Sequence, residues 1–152
     1  MSAEDRVRWD SVYRRRSHDP YPDPDPLLLQ YIPPVDLEDG LTALDLAGGF
    51  GQNALWLASQ GYIVDLMDVS RVALQRARAE MAIRNLRNVN LLQIDVDDIQ
   101  LDEDSYDLVV VTRYLKRDLF VRIKESIKPG GRIMYDTFNV RYLEQVPDFN
   151  TA

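Results

Sequence analysis

The chain contains no cysteine, so it forms no disulfide and no thiolate metal site. Its single histidine, His18, cannot build a histidine metal cluster, and no metal is expected. No run of eighteen apolar residues occurs, and no basic-then-apolar leader opens the chain. A membrane partner is therefore not expected, and the cytoplasm is the default location. Cations are outnumbered, 18 Lys and Arg against 25 Asp and Glu, for a net charge of −7. That balance argues against a nucleic-acid partner held through phosphates. Glycine is scarce at seven residues, yet three of them, Gly48, Gly49 and Gly51, fall within four positions. The 152 residues are 45% hydrophobic, which suits one domain with a real core.

The glycine cluster sits inside an ordered pattern. An apolar run, Leu41 to Leu46, leads into Gly48-Gly49-Phe50-Gly51; an amphipathic segment follows, Asn53 to Gln60. Gly61 stops it, and a second apolar run, Tyr62 to Met67, ends at Asp68. This reads as strand, tight turn, helix, strand, the βαβ unit that binds a nucleoside-bearing ligand at the carboxyl ends of parallel strands. Glycines let the backbone turn sharply and let a ligand approach it, and the helix N-terminus offers N–H groups to a negative group. Asp68 is placed to accept hydrogen bonds from two ribose hydroxyls. A glycine run alone would be weak; here the strands, the helix and the acid fall in register. The dinucleotide fingerprint G-x-G-x-x-G is not met, and Asp45 at the first strand's end would repel a pyrophosphate, which disfavours a nicotinamide-dependent oxidoreductase.

The remaining chain alternates in the same manner. Ser2 to Arg16 carries Trp9 and Tyr13 on one helical face, and HDPYPDPDP (18–26) is an extended loop, because each proline disfavours helix for its predecessor. A short helix, Leu27 to Tyr31, precedes the first strand. Ser70 caps a helix over Arg71 to Ile83. Strands follow at Asn90 to Val96, with Asp95 at the tip, and at Asp107 to Thr112, apolar enough to be buried on both faces. The tip Thr112-Arg113-Tyr114 lies where a substrate would approach. A helix over Asp118 to Ile127 ends at Lys128-Pro129-Gly130-Gly131, and a fifth strand spans Arg132 to Phe138. The fold class expected is α/β: a Rossmann-like doubly wound, mainly parallel sheet with helices on both faces.

The run LDLAGGFGQNALWLASQGY, with Asp45 ahead of the turn, resembles the first motif of class I S-adenosylmethionine-dependent methyltransferases, and more narrowly the tellurite-resistance (TehB-like) small methyltransferases. The first glycine of that motif is Ala47 here. The resemblance spans Trp9 to Phe138 and implies S-adenosylmethionine as cofactor and methyl transfer to a small-molecule acceptor. It implies cofactor contacts at Asp45, Ala47, Gly48, Gly49, Gly51 and Asn53 around the turn. Beyond the turn it implies Asp68 and Val69 at the second strand's tip, Asp95 and Val96 at the adenine, and Thr112. Asp45 suits the ammonium of the methionine end, and the N-terminal segment, with Trp9 and Tyr13, folds over the pocket as a lid. Residues 1–26 then form the lid and its loop, 27–138 the core and 139–152 a tail. No residue pair establishes a base; Tyr114, Asp136 and Tyr13 are the candidates.

The resemblance also implies a further helix and antiparallel strands after the fifth strand, and these are expected to be absent. The fifth strand would then be an exposed edge, pairing with another chain in a homodimer or covered by the tail Val140 to Phe149. A non-catalytic or partner-completed cofactor-binding module is the alternative function.

Overall fold

A computed structural model of the chain describes residues 3–112, 117–136 and 141–146. In chain order the elements are α1 (Ala3–Arg15), α2 (Pro26–Tyr31), β1 (Thr42–Leu46), α3 (Gln52–Ser59), β2 (Ile63–Asp68), α4 (Arg71–Arg84), β3 (Val89–Gln93), β4 (Tyr106–Thr112), α5 (Arg117–Ser126), β5 (Ile127–Asp136) and β6 (Arg141–Gln145). They form one six-stranded sheet ordered β3-β2-β1-β4-β5-β6. The first five strands are parallel and β6 is antiparallel to β5. Strand order reverses between β1 and β4, so a crevice opens at their carboxyl ends.

The alternation of side chains along each strand divides the core in two. Ala43, Val64, Leu66, Val110 and Met134 pack against Leu28 of α2, Leu55 of α3 and Leu74 of α4. Leu44, Leu46, Val109, Val111 and Ile133 pack on the other face against Leu119 and Ile123 of α5, with Val96 and Ile99 from the β3–β4 connection. Local chemistry sets the element ends. Asp25 accepts from the Leu27 N–H at 2.8 Å, with Pro26 at the first helical position of α2. Ser70 Oγ accepts from Ala73 N–H at 3.2 Å to cap α4, and Asn85, left-handed at φ 55°, closes it.

The structure departs from the sequence expectation at two places beyond small shifts of element ends. The Lys128–Gly131 segment does not separate helix from strand. Ile127 already pairs with Tyr106, and the ladder resumes at Arg132 with Leu108, so the Pro-Gly-Gly run is a bulge within β5. The second departure corrects in part the expected absence of antiparallel strands: one such strand, β6, is present among the described residues. β6 pairs along β5 from Asp136 with Arg141 to Arg132 with Gln145, and the Val146 N–H donates to Gly131 O at 2.8 Å. The fifth strand is therefore no exposed edge: the segment within the expected tail covers it, and it is not free to pair with a second copy.

Candidate functional site

β1 carries Asp45 and Ala47 into the turn at the carboxyl end of the sheet. Ala47, Gly49 and Gly51 adopt φ of 55°, 60° and 80°, so the chain reverses through left-handed conformations. Ala47 does this despite its methyl group, which costs about 1–2 kcal/mol relative to glycine. The glycines are also required by close packing within the protein. A Cβ on Gly48 would lie 2.4 Å from Leu66 Cδ1 and 2.6 Å from Asp45 Cγ, and one on Gly51 would lie 2.7 Å from Leu66 Cδ2. A Cβ on Gly49 would fall 2.7 Å from Tyr13 Oη of α1.

Two buried carboxylates frame this turn. Asp45 is fully buried. Its Oδ2 accepts from the Ala54 N–H of α3 at 3.0 Å, while its Oδ1 has no hydrogen-bond partner among the described residues. Burial pushes its pKa up to about 7, against the Ala54 N–H, with the charge of Asp68 adding to the rise. Asp68, 4% exposed at the tip of β2, accepts from Gly49 N–H and Ser70 N–H, both at 2.8 Å. These bonds lock the carboxylate and tie β2 to the turn. Burial raises its pKa too, opposed by those two N–H groups and assisted by Asp10.

α1 lies across the mouth of the crevice. Its Tyr13 is buried and meets Phe50 edge-on at 4.8 Å between ring centroids, with Trp9 beside it. Polar anchors on α4 hold it: Ser70 Oγ donates to Asp10 Oδ1 at 2.5 Å, and Arg76 donates to the carbonyls of Arg16 and Asp19. The Pro-rich loop is fixed as well, Tyr21 Oη donating to Phe50 O at 2.5 Å.

Two hollows result. A small cavity of about 20 Å³ is lined by Ala47, Gly48, Gly49 and Gln52 on the turn side and by Tyr13 and Arg16 on the lid side, with Thr112 at the β4 tip. A wider cleft of about 400 Å³ runs between Arg6 of α1 and Val69, Gln93, Ile94 and Asp95. Asp95 caps the turn after β3 by accepting from Asp97 N–H at 3.0 Å, and Val96 is buried behind it. Asp136 pairs with Thr112 at the adjoining strand tips. Thus Ala47, Gly48, Gly49, Tyr13 and Thr112 converge on one hollow, and Val69 and Asp95 on the other. Asn53 does not join them: it is buried, and its Oδ1 accepts from Asp25 N–H at 2.7 Å, fastening α2 to α3. Gly51 acts through packing. Tyr114 lies outside the described residues.

Sequence reading did not single out Gln52 or Gln93. Gln52 sits inside the motif itself, and its Oε1 joins Asp45 Oδ1 as the buried side-chain oxygens without a hydrogen-bond partner among the described residues. Unmet buried acceptors cost about 1–3 kcal/mol each, and two of them beside a glycine turn fit a ligand that brings a cationic amino group. The wider cleft is large enough for a flat heterocycle.

A family profile described as a methyltransferase domain matches residues 43–131. The chain is 31% identical over 105 residues to a demethylmenaquinone methyltransferase of Clavibacter sepedonicus, covering 66% of this chain and 42% of that one. It is 29% identical over 126 residues to a phosphoethanolamine N-methyltransferase 2 of Caenorhabditis elegans, covering 76% and 28%. Among solved structures, an S-adenosylmethionine-dependent methyltransferase of Mesorhizobium loti superposes with a TM-score of 0.63 at 30% identity, covering 74% of this chain and 51% of that one. A Haemonchus contortus phosphoethanolamine N-methyltransferase 2, in complex with phosphomonomethylethanolamine and S-adenosylhomocysteine, gives 0.62 at 26% identity, covering 72% and 26%. The chain spans less than half the length of either curated relative.

Proposed function

The chain belongs to the methyltransferase-domain family, and from that premise we propose that it binds S-adenosylmethionine at the carboxyl ends of β1 to β4 and transfers its methyl group to a small-molecule acceptor. The observation that carries the reading is Asp45 Oδ1, a fully buried carboxylate oxygen with no hydrogen-bond partner among the described residues, at the foot of the glycine turn. Asp45 receives the ammonium of the cofactor's methionine end, and Ala47, Gly48 and Gly49 cradle that end. Gly51 and Asn53 hold the turn and α3 in shape. Asp68, already oriented by two backbone N–H groups, keeps lone pairs for the ribose hydroxyls. Val69, Asp95 and Val96 border the adenine, and Thr112 closes the site from β4.

When bound, the cofactor supplies a methyl group activated on a cationic sulfur. The protein then has to align acceptor and donor and keep water out. α1 does the second, with Tyr13 and Phe50 closing the turn from solvent. A base is needed only where the acceptor must lose a proton; Tyr13, Tyr114 and Asp136 are the residues assigned to that duty, Asp136 standing beside Thr112. Within the family, the sequence of the turn supports kinship with the tellurite-resistance-like small methyltransferases. We take residues 1–152 as one cofactor-binding domain acting in the cytoplasm, with 1–26 as its lid. No described helix is long and apolar enough to cross a membrane.

Calorimetry with S-adenosylmethionine, S-adenosylhomocysteine and NAD tests the proposal. The first two are expected to bind and NAD is not, and Asp68→Ala is expected to weaken binding at least about tenfold, the loss of two charge-assisted hydrogen bonds. Methylation across a panel of amine, quinol and thiol acceptors, read by mass spectrometry, tests the transfer. Failure of both sulfur nucleosides to bind overturns the reading.

A further inference from the structure

Resting on the cofactor reading above, we propose that α1 supplies a ligand as well as a cover: Arg16, at its end, takes the carboxylate of the cofactor's amino-acid tail, while Gln52 shares its ammonium with Asp45. The small cavity has two chemically different walls. On the turn side stands Gln52, whose Oε1 has no hydrogen-bond partner among the described residues; Asp45 Oδ1, likewise without one, lies buried behind the turn rather than in the cavity wall. On the lid side stands Arg16, whose guanidinium lies over the ring of Phe50, another lining residue. A zwitterionic tail answers both walls. A phosphate would answer Arg16 alone and leave the two acceptors without donors, at a cost for each.

Arg16 is held in place for this duty. Arg76 of α4 donates to the Arg16 carbonyl at 2.9 Å and to the Asp19 carbonyl, so the backbone at the end of α1 is fixed. The Phe50 ring lies under both guanidiniums, 5.6 Å from that of Arg16 and 4.6 Å from that of Arg76. The head group of Arg16 is nevertheless available. Its acidic partner among the described residues is Asp19 at 3.9 Å, whose side chain is 63% exposed. An ion pair that long and that solvated contributes little, so a carboxylate in the cavity displaces it at small cost. Closure of α1 is then coupled to the tail: a nucleoside without an amino acid occupies the wider cleft but does not engage Arg16.

The experiment compares S-adenosylhomocysteine with 5′-methylthioadenosine, which keeps the adenosine and thioether but lacks the amino acid. Calorimetry measures both on the wild type, Arg16→Gln and Arg16→Lys. Arg16→Gln is expected to weaken S-adenosylhomocysteine about tenfold and to leave 5′-methylthioadenosine within about twofold, because only the tail meets the guanidinium. Arg16→Lys, which keeps the charge but not the fork, is expected to fall between. An equal loss for both nucleosides, or no loss for either, overturns the assignment while leaving the proposed function standing. If the wild type binds neither nucleoside, the proposed function and this inference fall together.

Discussion

Ala47 is the residue at which the chain carries its clearest local strain. It holds φ 55° with a methyl group, a conformation that glycine adopts without that penalty. Ala47→Gly relieves about 1–2 kcal/mol of strain and loses about 0.5–1 kcal/mol through a freer unfolded chain. A net gain of about 0.5–1 kcal/mol is expected, read as a higher urea midpoint at constant slope. Asp45 makes a pH prediction of definite sign. Its folded pKa, about 7, is above its unfolded value. Its contribution to stability is therefore full below the unfolded pKa and is lost as pH rises through about 7. Asp45→Asn is expected to gain melting temperature relative to the wild type between pH 5.5 and 8. Ligand affinity should move the opposite way in the wild type: the ionised carboxylate attracts an ammonium, so S-adenosylhomocysteine binds more tightly as pH rises across that range, and Asp45→Asn flattens the trend. An unchanged difference between the two proteins over this range would contradict the assignment of a raised pKa.

At the scale of elements, β4 was legible because it is an almost fully apolar run buried on both faces, β1 and β2 because largely apolar runs flank the glycine turn, and the turn between β1 and α3 because its glycines and acids are sequence-local. Asp45 and Asp68 could be placed because a carboxylate at the end of an apolar run marks a strand tip; Asp95, expected at such a tip, lies two residues past β3 in the turn it caps. β6 was not legible. RYLEQ is short and mostly polar, and it becomes a strand only because β5 presents an unpaired ladder. The docking of α1 was half legible. Trp9 and Tyr13 marked one face, but Asp10 on Ser70 and Arg76 on the carbonyls of Arg16 and Asp19 join residues about sixty positions apart, and no local pattern announces such pairs. Asn53 has a partner that was not legible for a related reason: its position in the motif suggested a ligand contact, and its side chain also ties down Asp25 N–H, 28 positions away. The covering of β5 can be tested through Val146, which is 3% exposed. Val146→Asp places a charge in that buried site and is expected to cost about 2–4 kcal/mol and to release an apolar edge. Size-exclusion chromatography should then show more self-association than the wild type does.

Across the whole molecule, the site is an assembly of three parts that share no local sequence: the turn of β1 and α3, the tips of β2 and β3, and α1 closing over both. Asp68 joins the first two through Gly49 N–H and Ser70 N–H, and Ser70 joins α1 through Asp10. A ligand that spans the two hollows therefore braces the sheet's carboxyl end and the lid together, and it binds the folded chain alone. At a concentration of 100 Kd such a ligand adds about 2.7 kcal/mol of stability, which for a domain of this size raises the melting temperature by about 5–10 °C. S-Adenosylhomocysteine is expected to give that rise in the wild type. The rise should shrink in Ser70→Ala, where the Asp10 anchor and the cap of α4 are both lost, even after its lower starting temperature is allowed for. Adenosine alone, which reaches only the wider cleft, should give a smaller rise that Ser70→Ala changes little. Equal shifts from the two ligands in the wild type would mean that the hollows are not read as one site and that α1 covers the crevice without coupling its halves.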